Sequence, residues 1–123
     1  MFSSTVMDHF QNPRNVGTLE NQTGRGVAGS VETGRFIQFS LRVESDRIAA
    51  ARFKTYGCVP VIAAGSLLAH WAEGLTVDEA RAITPEQLLE RLGGLPPQRR
   101  FCAVLAVEAL RNALAGPGGP RAS

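Results

Sequence analysis

Two cysteines, two histidines, one lysine, one tryptophan and one tyrosine are all that this 123-residue chain has of those types. Each shortage excludes something. Two cysteines cannot build the disulfide framework of a small secreted domain, so a reducing, cytoplasmic setting is expected. No apolar run approaches the ~20 residues that cross a bilayer. No basic segment followed by an apolar one marks a secretory signal near the start. The formal net charge is only +2, Lys54 is the single lysine, and Arg99-Arg100 is the densest basic cluster. Nucleic acid and membrane are therefore not expected partners. No Gly-rich phosphate loop, serine-hydrolase elbow or pair of catalytic carboxylates stands out.

What is present reads as one globular domain over residues 1–115. The apolar fraction is 44%, ordinary for a chain that can bury a core without staples. Residues 116–123, rich in Gly and Pro, are expected to form a disordered tail.

The pattern places strands before helices. Residues 3–10 read as a short amphipathic helix, with Ser3 or Ser4 as cap and Asn12-Pro13 as stop. Residues 15–26 read as loop, and Val27–Val31 as a weak strand. Ile37, Phe39, Leu41 and Val43 alternate with Gln38, Ser40, Arg42 and Glu44, a strand with one buried face. Ser45-Asp46 is a hairpin turn, and Arg47–Tyr56 is the return strand, with Ala51, Phe53 and Thr55 on one side. Val61, Ala64, Leu68 and Trp71 then share a helix face that stops at Gly74. Thr76 with Glu79, and Thr84-Pro85 with Gln87, are capping-box signals for two short helices. From Arg99 to Ala115 a stripe of Ala103, Val107, Leu110 and Leu114 marks the last helix, with Glu108 and Arg111 spaced to pair. The implied class is α+β: a three-stranded antiparallel sheet with helices packed on one face.

The chemistry lies in two thiols. Gly57-Cys58 ends a strand as a helix begins, and Cys102 stands at the start of the last helix. A helix start favours negative charge, and a thiolate is what metal binding and sulfur chemistry both require. The bland alternative is that each cysteine is a small buried hydrophobe.

Three blocks carry a family resemblance. They are Asp8-His9-Phe10-Gln11-Asn12-Pro13-Arg14-Asn15-Val16-Gly17, Ala51-Arg52-Phe53-Lys54-Thr55-Tyr56-Gly57-Cys58, and Leu95-Pro96-Pro97 followed by Cys102. In order and near-family spacing, over about residues 3–115, they resemble the IscU and NifU N-terminal scaffold proteins of iron–sulfur cluster assembly. That resemblance implies the same α+β fold, a scaffold or carrier rather than a catalyst, and a bound iron–sulfur cluster or iron. It also implies a cysteine desulfurase as partner and an Hsp70-type chaperone engaged through Leu95-Pro96-Pro97. Family members use three cysteines, an aspartate two residues after the first, and a histidine just before the third. Cys58 and Cys102 match the second and third cysteines. Thr33, Arg35 and Phe101 stand at the first cysteine, the aspartate and the histidine.

The departures have consequences. A threonine hydroxyl stays protonated and is a poor ligand, an arginine cannot coordinate metal, and phenylalanine removes a ligand. One chain then offers two thiolates where a cluster ordinarily takes four. A homodimer would bring two such pairs together, and zinc is an alternative occupant of a thiolate site. His9, His70 and Glu32 are weaker ligand candidates. Cys102 also matches the position where family members accept a persulfide. Arg99, Arg100 and, if it reaches the site, Arg35 would favour its anion, while burial by Phe101 and Val104 would oppose it. A second class of function is a cluster-free regulatory or interaction protein that docks on a desulfurase. A Cys58–Cys102 disulfide, which needs α-carbons within roughly 7 Å, is a third reading.

Overall fold

A computed structural model describes residues 2–30 and 32–115; the predicted tail at 116–123 and Val31 lie outside the described residues. Helix α1 spans Ser4–Gln11, followed by strands β1 (Gly24–Ser30), β2 (Arg35–Glu44) and β3 (Arg47–Tyr56). Helices α2 (Val59–Ala72), α3 (Val77–Arg81), α4 (Pro85–Leu92) and α5 (Phe101–Leu114) follow, with a short 3₁₀ turn at Pro97–Arg99. The sheet is antiparallel throughout, in the order β1-β2-β3.

Local signals account for most element ends. Ser3 caps α1 by accepting from the Val6 amide, and its hydroxyl also donates to the Leu92 carbonyl at the end of α4. Thr76 with Glu79, and Thr84 with Gln87, form complete capping boxes. Each places two otherwise unpaired groups in reciprocal hydrogen bonds. Ser45 and Asp46 take φ of 51° and 66°, the left-handed pair that a tight two-residue hairpin needs.

The core lies between one sheet face and the helices α2 and α5. Ile37, Phe39 and Leu41 of β2 and Ala51 and Phe53 of β3 are buried on it. The cross-strand Phe39 and Phe53 rings pack with centroids 6.5 Å apart. The last-helix stripe of Ala103, Val107, Leu110 and Leu114 is buried as its spacing predicts, and Ala106, Ala109 and Ala113 widen it.

Four features differ from the sequence reading. First, β1 begins at Gly24, three residues before the expected Val27. Gly26 is a strand residue that leaves space: a Cβ there would lie 2.1 Å from the Ala113 amide nitrogen and 2.4 Å from the Ala109 carbonyl oxygen. The backbone of α5 therefore rests directly on β1, a close approach that only glycine permits. Second, residues 15–17 are not free loop. Gly17 donates to the Phe53 carbonyl at 2.8 Å, and the Phe53 amide donates to the Asn15 carbonyl at 2.8 Å. They run parallel to the outer edge of β3 and cover it. Third, the register shifts between Arg42 and Val43, so that Ala50 faces Arg42 and Ile48 faces Val43. The extra residue, Ala49, lets Ile48 and Ala51 enter the same core, as a β-bulge does. Fourth, Arg111 does not pair with Glu108. Its guanidinium reaches the Ile83 carbonyl at 2.7 Å, tying α5 to the turn before α4.

Candidate functional site

The two thiols meet at one end of the molecule because two chain reversals end there. Strand β3 runs to Tyr56, Gly57 turns the backbone, and Cys58 becomes the N-cap residue of α2, with Pro60 in its first turn. The Cys58 side chain makes no capping hydrogen bond, so its sulfur is not committed to the helix. From the other side, Pro96-Pro97 and the 3₁₀ turn lead into α5, whose second residue is Cys102. Both cysteines are free.

Their surroundings are unequal. Cys58 is half-buried and lines a cleft of about 680 Å³ together with Gly34, Arg35, Thr55, Tyr56, Gly57, Ile62 and Arg99. Cys102 is 1% exposed. Burial, and then the neighbouring Cys58, push the Cys102 thiol from an ordinary 9.0 up to about 12; Arg99 and Arg35 pull the other way and lose. Of the opposing influences the sequence sets at Cys102, burial outweighs the nearby arginines. Removing a thiolate from water costs more than those two cations return. Cys58 is close enough to be one of the groups that act on it.

The three positions that depart from the resembled ligand set have found other work. Thr33 sits exposed in the β1–β2 turn, where its hydroxyl lies 2.8 Å from the Ser30 carbonyl oxygen and 3.2 Å from that of Arg35. It shapes the turn and is held away from coordination. Arg35 does reach the site: its guanidinium stacks over the Phe101 ring at 4.3 Å from the centroid. This cation–π contact links the wall of the Cys58 cleft to the residue beside Cys102. The sequence shows both residues but gives no sign that they touch, since 65 positions of chain separate Arg35 from Phe101.

The weaker candidates fall elsewhere. His9 is buried, its Nδ1 2.7 Å from the Ser66 hydroxyl on α2. Burial first, and the Arg14 charge second, hold its pKa below the usual 6.5. It joins α1 to α2 and is not at the thiol end. His70 and Glu32 are exposed. Among the described residues no group of three or more His, Cys, Asp and Glu side chains is arranged to hold a metal ion. Leu95 is buried, whereas Pro97, Gln98, Arg99 and Arg100 are exposed. No helix among the described residues is long and apolar enough to cross a membrane.

Comparison with known proteins places this geometry. The profile of the NifU-like N terminal domain matches residues 1–116. An iron–sulfur cluster assembly scaffold protein IscU of Archaeoglobus fulgidus is 43% identical over 114 residues, covering 93% of this chain and 74% of its own. Its counterpart in Escherichia coli K12 is 40% identical over 118 residues, covering 93% and 91%. Among solved structures, a putative iron–sulfur cluster assembly scaffold protein for the SUF system of Fervidobacterium islandicum has the same fold. Its TM-score is 0.74 at 20% identity, covering 92% of this chain and 96% of that one. On the profile match and these identities, the chain belongs to the NifU-like N terminal domain family.

Proposed function

We propose that this protein acts in iron–sulfur cluster assembly as a scaffold-like carrier, taking iron or sulfur through Cys58 and Cys102. The observation that carries the reading is the convergence of two free thiols, remote in sequence, at one end of the molecule, with Cys58 opening onto a cleft. The relatives are named as cluster assembly scaffolds, which supports the same reading of this chain. Cys58 is the thiol that meets incoming cargo, because it is the one that reaches the cleft. Cys102 lies behind it and takes part only when cargo, or a shift of the Arg35–Phe101 stack, offsets the cost of ionising it.

A cluster needs more ligands than one chain presents here. Two chains joined at this end supply four thiolates, the usual complement. Zinc is the alternative occupant, since it too accepts thiolates in a tetrahedral site. The role is that of a carrier rather than a catalyst, and a cysteine desulfurase is the partner that delivers sulfur. The segment Leu95-Pro96-Pro97, with Leu95 buried and Pro97 exposed, is the surface offered to an Hsp70-type chaperone. Anaerobic reconstitution with iron and sulfide tests the reading. A coloured dimer that Cys58→Ala abolishes is the expected result; a colourless monomer under all conditions removes the cluster-binding form.

One observation favours a second reading. Arg35 and Phe101 form a cation–π pair beside the thiols, and Cys102 is buried, which raises its thiol pKa. A protein so arranged suits a cluster-free adaptor that docks on a desulfurase. Pull-down with a desulfurase in the presence and absence of iron separates the two: binding without any metal or sulfur uptake supports the adaptor.

A further inference from the structure

The cleft at Cys58 has one sign of charge. Arg35 and Arg99 both line it, and no carboxylate does. Four other arginines, Arg14, Arg42, Arg52 and Arg81, have a carboxylate within 4 Å. Among the described residues Arg35 and Arg99 have none. The Arg35 guanidinium carbon lies over the Phe101 ring, 4.3 Å from its centroid, and no hydrogen bond from the guanidinium to a carboxylate is formed among the described residues. The Tyr56 ring, more than half exposed, and Ile62 add apolar wall to the same space.

Two guanidiniums lining the cleft favour an anion there. Its nucleophile is a thiol. A phosphate or a carboxylate would meet the charge and find no chemistry, whereas an anion with a sulfane sulfur would meet both. We infer that the cleft accepts a small anionic sulfane-sulfur donor of the thiosulfate type and that Cys58 takes the donor's outer sulfur. This rests on the reading of Cys58 as a sulfur-accepting thiol and names the class of donor that its surroundings select.

The step balances without an added oxidant or reductant. The Cys58 thiolate attacks the outer sulfur of thiosulfate. A new sulfur–sulfur bond forms on Cys58, the donor's sulfur–sulfur bond breaks, and its electron pair leaves with sulfite. Three negative charges enter, one on the thiolate and two on thiosulfate. Three remain, one on the Cys58 persulfide and two on sulfite. The two guanidiniums face anionic species at every stage, and charge-assisted contacts to oxyanions are what arginine forms best.

The test uses the whole protein, purified without oxygen and incubated with thiosulfate. Mass spectrometry should find one added sulfur on the Cys58 peptide, with equimolar sulfite released. At limiting thiosulfate, Arg99→Ala should load roughly tenfold more slowly, the loss of about one charge-assisted contact. Arg35→Ala should do the same, and Arg35→Lys should recover most of the rate. Dimethyl trisulfide, a neutral thiol-exchange reagent, should convert Cys58 to its mixed methyl disulfide, with methyl persulfide leaving, at equal rates in wild type and Arg99→Ala, which excludes a general loss of thiol reactivity or folding. Absence of sulfur on Cys58 while alkylation finds that thiol free overturns the inference. So does equal loading of wild type and both alanine variants. Loading by a desulfurase but not by thiosulfate removes this inference and keeps the proposed function. Loading by thiosulfate in a protein that binds no desulfurase, iron or cluster does the reverse.

Discussion

Helix α2 treats its polar neighbours in opposite ways along its length. In its middle, the Ser66 hydroxyl is fully buried, bonded to His9 Nδ1 at 2.7 Å and accepting from the Arg14 amide at 2.8 Å. At its start, the Cys58 thiol caps nothing, and the two arginines beside it have no carboxylate partner among the described residues. Both regions contain residue types that bind metals and move protons. In the first, the Ser66 hydroxyl and His9 Nδ1 are bonded to each other, and the result is a joint between α1 and α2. In the second, the groups are left open to a cleft, and the result is a site. A histidine or cysteine becomes functional when the fold declines to satisfy it.

The closed region should break by stability and the open one by chemistry. The largest stability effect is expected away from the cleft, at Gly26→Ala, where the new Cβ meets α5 backbone atoms that cannot rotate away. Overpacking of that kind costs about 3 kcal/mol or more, which chemical denaturation measures directly. Cys102 comes next, through pH. Its thiol is raised from 9.0 to about 12 in the folded protein. Unfolding therefore releases its proton above pH 9, and the stability it contributes is present below that value and lost as pH rises toward 12. Thermal melts should show a declining alkaline limb, and Cys102→Ala should flatten that limb while lowering stability at neutral pH.

His9 has the opposite sign. Its pKa is lowered on folding, so the stability it contributes is present above about 6.5 and falls away below that value, as the unfolded chain takes up a proton first. His9→Ala should cost about 1–3 kcal/mol, from the lost hydrogen bond to Ser66 and the space left behind, and should weaken the acid limb. The smallest stability change is expected at the open end. Cys58→Ser should alter stability by less than about 0.5 kcal/mol and yet remove iron or sulfur loading. A large loss of stability there would erase the distinction between the two regions.

Much of the fold is legible in the sequence because its signals are local. The caps at Ser3, Thr76 and Thr84, the hairpin at Ser45-Asp46 and the alternation through β2 each lie within a few residues of what they determine. The misreadings concern what arrives from far away. Gly26 reads as loop until α5 is placed on it. The bulge at Ala49 is invisible until Ile48 and Ala51 are seen to share a core. The site divides in the same manner. The two thiols and their places at strand end and helix start are evident from residue types and motifs. That Arg35 reaches across to Phe101, and that Cys102 is buried deeply enough to defeat two arginines, depends on how α5 packs beside β2.

The distinction between an open and a closed thiol is tested most directly by alkylation of the folded, reduced protein at neutral pH, with each cysteine quantified by mass spectrometry over time. Cys58 should be modified at least about tenfold faster than Cys102, whose thiol is buried and protonated. Equal labelling of the two, or faster labelling of Cys102, would contradict the account.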